Sequence, residues 1–132
     1  MDADNDAEFE KQVLRAISAL YAAHPRTIIL GSEITLVPPP TKGDPDYEDR
    51  MAFSSGTIYW LHRNGIVTGN LTETTYRAIL GAQLSTRAYL ILRSRDAAVP
   101  DSTLGQAAER CAADPGSRDE SAVAELIVRK LS

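Results

Sequence analysis

Apolar residues recur at helical spacing in five stretches of the chain, with two pairs of extended runs between the first three. Phe9, Val13, Leu14, Ile17, Leu20 and Tyr21 share one face of a helix, opened by Asn5 as N-cap with Glu8 three residues on. Asp6, Glu8 and Glu10 sit where the helix dipole favours acids, and Pro25 ends the helix near His24. Met1 to Asn5 precede it as a frayed end. Two β-prone runs follow, Thr27–Leu30 and Ile34–Val37, with Gly31-Ser32 between them. They either pair with each other or lend one strand to a later hairpin.

Residues 38–49 begin with three prolines and continue polar and acidic, so an exposed loop is expected, with a helical turn over Asp46–Ala52. A second helix is expected from a Ser54 or Ser55 cap to Asn64, closed by Gly65. Phe53, Thr57, Ile58, Trp60 and Leu61 fall on its packing side, and Ser55, Tyr59, His62 and Arg63 on the other. Ile66–Thr68 and Thr74–Leu80 read as the strands of a hairpin joined through residues 69–73. Ser85 caps a short helix, Thr86–Arg93. Asp101 or Ser102 caps another, carrying Leu104, Ala107, Ala108 and Cys111. After the Asp114-Pro115-Gly116 turn, Ser117 with Glu120 opens a last helix bearing Val123, Leu126, Ile127 and Leu131.

Charge changes this picture. The 132 residues have a formal charge of −4, which argues against bulk nucleic-acid binding. Between Arg50 and Arg95, however, there are six arginines (Arg50, Arg63, Arg77, Arg87, Arg93, Arg95) against one acid, Glu73, a local +5. The remainder, with eight bases and seventeen acids, is −9. The arginines either form a local cationic field or solvate an amphipathic surface.

Catalytic signatures are absent from the sequence. Two histidines, His24 and His62, and one cysteine leave no nucleophile–base pair in evidence, and there is no phosphate loop or metalloprotease motif. Asp44, Asp46, Glu48 and Asp49 lack the glycine and bidentate glutamate of a calcium loop. No enzyme, cofactor or metal is expected. The acidic N-terminus is unlike a signal peptide, no apolar run has the ~20 residues of a membrane span, and a single cysteine precludes an internal disulfide. A cytoplasmic setting without membrane attachment is the expectation.

The segment Thr57–Val67, a helix running through Gly65 into an apolar strand, resembles the junction leading into the wing of winged-helix domains. Ala82–Ala88 is similar to the segment that often follows the wing in bacterial members, with Ser85 and Ala88 in place of its Thr and Gly. The resemblance covers most of Phe9 to Leu92. It implies an α+β fold: a winged-helix core over residues 6–95 with a β-hairpin wing, a Pro-rich loop at 38–49 and additional C-terminal helices over 101–132, all in one domain. It also implies a DNA-binding regulator contacting duplex DNA through Ser55, Tyr59, His62, Arg63, Arg77 and Arg87. A protein-interaction or assembly module is the alternative, and either terminal helix is available for a homodimer. One departure stands out. The helix that precedes the recognition helix in DNA-binding members falls here on the Pro-rich, acidic stretch.

Overall fold

Helix α1, Ala3–Ala23, is the element against which most others pack. The computed structural model describes residues 3–132, with side chains from Asn5 onward. The expectation for Met1 and Asp2 lies outside the described residues. Asn5 is inside α1 and is not its cap. Val13, Leu14, Ile17 and Leu20 are fully or almost fully buried, as their i, i+3/i+4 spacing requires. The helix stops at Ala23, before Pro25.

The elements that follow are β1 (Ile28–Leu30), α2 (Ser32–Thr35), α3 (Tyr47–Arg63), β2 (Val67–Leu71), β3 (Ile79–Leu84), α4 (Thr86–Arg93), α5 (Leu104–Ala113) and α6 (Glu120–Leu131). Among the described residues the fold is therefore α+β, six helices with one three-stranded antiparallel sheet in the order β1-β3-β2. The first β-prone run joins the later hairpin as its third strand: Ile28 lies opposite Ala82 and Leu30 opposite Ile79.

Several expectations are corrected, some by contacts distant in sequence and others by local hydrogen bonds. Ile34–Val37 is not a strand. Ser32–Thr35 makes one helical turn, because the Thr35 carbonyl accepts from Arg15 Nη1 of α1 at 2.8 Å and its hydroxyl bonds Ser54 of α3. Ser54 and Ser55 do not cap a helix. The turn expected at 46–52 and the helix after it are one 17-residue helix, and both serines are buried within it. Serine weakens a helix interior by competing for the backbone, but here both hydroxyls have tertiary partners, Thr35 and the Arg77 amide. The returning strand is Ile79–Leu84, not Thr74–Leu80. Residues 72–78 are a loop in which Thr72 Oγ1 accepts from the Ala78 amide and Thr74 Oγ1 donates to the Tyr76 carbonyl. Threonine's β-propensity is overridden by this local hydrogen bonding. Finally, Thr103 rather than Asp101 or Ser102 caps α5, in a reciprocal box with Gln106. Asp119 precedes α6 without a side-chain cap bond. Glu120, expected to close a box with Ser117, accepts instead from the Gly116 amide and pairs with Lys11 at 3.8 Å.

The C-terminal helices complete the core of the N-terminal half. α5 and α6 pack on α1 and on each other, burying Leu104, Ala107, Ala108, Cys111, Val123, Ile127 and Leu131 in one cluster with Ile58, Leu61 and Ile79. α5 approaches α1 closely at Gly105, where a Cβ would lie 2.5 Å from the Tyr21 ring. That ring cannot easily yield, because it stacks on Tyr89 and its hydroxyl meets Thr103 Oγ1 at 3.3 Å.

Two glycines on helices therefore predict opposite outcomes in urea unfolding. Gly105→Ala should destabilise by about 1–3 kcal/mol through overpacking against Tyr21. At Gly56 a Cβ meets nothing within 4 Å, so Gly56→Ala should stabilise by about 0.5–1 kcal/mol through the better helix propensity of alanine.

Candidate nucleic-acid interface

The junction from α3 into β2 sets the geometry of this surface. Gly65 takes φ of +69°, the left-handed conformation that ends a helix, and the Ile66 amide bonds back to the Leu61 carbonyl at 3.1 Å. The chain then leaves directly into β2. The β2–β3 hairpin folds back along α3 and is fastened to it in three places. The Arg77 amide donates to Ser55 Oγ at 2.9 Å. The Arg77 guanidinium lies 4.5 Å from the centroid of the Tyr59 ring. His62 Nε2 lies 3.1 Å from the Gly69 carbonyl.

Ser55, Tyr59 and His62 follow one another at i, i+4 and i+7, so they do share one helical stripe. The stripe faces the hairpin instead of open solvent. Ser55 is buried and acts as a tether, which corrects its expected display on the outer face. Tyr59 and His62 are half-buried, while Arg63, one turn beyond Tyr59, is exposed. Between helix and hairpin lies a polar groove of about 660 Å³ bordered by Tyr59, His62, Asn70, Thr72, Glu73 and Arg77. Asn70, Thr72 and Glu73 fall in the segment expected to join the strands, and no local signal there shows that it folds back onto α3.

Arg87 is not part of this groove. Its Nη2 donates to the Leu131 carbonyl at 3.1 Å, at the C-terminal end of α6, where the helix dipole favours a cation. The other arginines of the +5 segment are also dispersed. Arg50 bonds the Pro38 carbonyl, and Arg95 the Pro100 carbonyl at 3.4 Å. Arg50 and Arg63 are thirteen residues apart on α3, or roughly 20 Å at 1.5 Å per residue. Of the six arginines only Arg77 borders the groove, and Arg63 is exposed at the end of α3.

Other chemistry is sparse. Cys111 is fully buried, and burial, followed by the nearby Asp119 carboxylate, pushes its thiol above the ordinary range. Among the described residues no three His, Cys, Asp or Glu side chains gather to hold a metal ion. No helix among them is long and apolar enough to cross a membrane. The exposed large apolar side chains are Ile29, Val37, Leu80 and Leu90. None of these lies on α1, α5 or α6.

No family model, curated protein or solved structure matches the chain.

The hairpin tethers are testable apart from any ligand. His62→Ala should speed amide hydrogen exchange over residues 67–71 while core amides of α1 and α5 keep their protection. The local loss is worth about 0.5–1.5 kcal/mol, the net value of one hydrogen bond. Unchanged exchange in the hairpin would mean that the His62 contact holds nothing in place.

Proposed function

We propose that the chain is a winged-helix DNA-binding regulator that touches the DNA backbone with the last turns of α3 and with the β2–β3 hairpin as wing. Support for the fold comes from the element order α1-β1-α2-α3-β2-β3 with strand order β1-β3-β2. The single-turn α2 lies just before the Pro-rich stretch at which the resemblance departs from DNA-binding members. The observation that carries the functional reading is Arg77, held over the Tyr59 ring at the groove, with Arg63 exposed one turn further along α3 from Tyr59. A guanidinium already held in place loses less rotamer freedom when it meets a phosphate.

The same geometry limits the mode of binding. Glu48 and Asp49 occupy the first turn of α3 and Asp46 precedes it. A helix acidic at its start does not lie full-length against phosphates, so contact is confined to its C-terminal end. Two phosphate contacts give weak, salt-sensitive, largely sequence-independent binding. A protein-interaction role is the second reading, favoured by an aromatic groove on another face of α3.

Binding to a random duplex, titrated with salt, tests this. Neutralising two phosphates predicts log K falling against log salt with a slope of about −2. Arg63→Ala and Arg77→Ala should each weaken binding and reduce the slope by about 1. Arg87→Ala should leave it unchanged. Absence of binding at low salt, or equal weakening by Arg87→Ala, would overturn the reading.

A further inference from the structure

On another face of α3, beside the start of α1, lies a different kind of surface. Phe9 meets Trp60 edge-to-face, with ring centroids 5.0 Å apart and planes at 89°. With Phe53 they line a groove of about 490 Å³ whose floor is the exposed Ala52 and Gly56. Nothing lies within 4 Å of the position a Gly56 Cβ would take, so the floor is open. Phe53 and Asn5 also border a second hollow of about 470 Å³ with Leu36, Val37, Asp46 and Asp49, so the two hollows adjoin as a trough along α3. From Asp49 to Trp60 the trough follows α3 for roughly 16 Å, about three turns of a helix laid along it.

Its rim is acidic. Asp6 borders the aromatic part, Asp46 and Asp49 the other. Arg50 also borders the second hollow, where it bonds the Pro38 carbonyl and is outnumbered by Asp46 and Asp49, and Arg15 is engaged by Glu8 and the Thr35 carbonyl. Acids crowd the start of α1, where Glu10 is pushed above the usual carboxylate range by burial and then by Glu125 and Asp6. Such a rim repels DNA and anionic lipid and attracts a basic partner.

We propose that this trough docks an amphipathic helical segment of a partner protein, seating two or three large apolar side chains between Phe9, Phe53 and Trp60 and setting lysine or arginine against Asp6, Asp46 and Asp49. This is helix-in-groove recognition, with the apolar anchors giving affinity and the charges orientation. It does not rest on the DNA reading, which uses Arg63 and Arg77 instead. A second copy of the chain fits less well. Its best candidate, Leu90 between Arg87 and Arg93 on α4, offers a single exposed anchor.

Trp60 is the only tryptophan, so its fluorescence reports on the trough directly. The probe is a panel of synthetic helical peptides of about 14 residues, long enough to span the trough, with leucine and phenylalanine on one face and lysine on the flanks in several registers. Saturable Trp60 shifts are expected with lysine-flanked peptides, at least about tenfold weaker with glutamate in place of lysine. Gly56→Arg should abolish them, by placing a long cation in the floor. The double variant Asp6→Lys, Asp49→Lys, altered only at exposed positions, should weaken them and remains informative if Gly56→Arg loses helix content. Arg63→Ala should have no effect. The proposal is overturned if no lysine-flanked peptide gives a saturable shift, or if glutamate peptides bind equally well. Binding that survives both trough variants also overturns it. So does self-association of the protein that Gly56→Arg removes, which would assign the trough to a second copy.

Discussion

Burial of the apolar face of α1 is the constraint on which the rest depends. Val13, Leu14, Ile17 and Leu20 contribute side chains to a core shared with the sheet, α3, α5 and α6. Each Leu, Ile or Val so buried is worth about 1.5–3 kcal/mol, against about 0–1 kcal/mol for an exposed ion pair such as Arg110–Asp119. The core therefore decides where α3 lies, and everything on the surface follows from that placement. Because α5 and α6 close the same core, the C-terminal third supports the surface carried by α3 even though it contributes nothing to the groove.

With Ile58 and Leu61 held in the core, the remaining faces of α3 point in different directions. One, through Ser55, Tyr59 and His62, receives the hairpin. Another, through Ala52, Gly56 and Trp60, meets the start of α1 and stays open. The first pairs a guanidinium with a phenol in a polar groove; the second is aromatic with an acidic rim. One helix thus presents two surfaces of different chemistry.

Much of the fold was legible because it follows local rules. The period of α1, the Gly65 stop, the Ser85 cap and the periodic stripes of α5 and α6 need only a window of a few residues. What was illegible depends on distant partners or on hydrogen bonds closed within a loop. Ser54 and Ser55 read as caps because nothing nearby reveals Thr35 or the Arg77 amide. Thr74–Leu80 read as strand because its threonines spend their hydroxyls on their own loop. At the site, the i, i+4, i+7 stripe was visible, but the hairpin covering it was not. The +5 count was correct in sequence, yet folding sends Arg50, Arg87 and Arg95 to carbonyls in separate parts of the molecule. Net charge over a segment says little about a field until the residues are placed.

Mapping DNA contact residue by residue tests the central claim, that the end of α3 and the hairpin form one DNA-facing unit. Random duplex DNA titrated at low salt into isotope-labelled protein, followed by amide chemical shifts, should perturb Arg63 and residues 68–77. Asp46–Ala52, α1 and α6 should stay unmoved. Perturbations centred on the first turns of α3 or on α4 and α6, or none at all, would contradict the account.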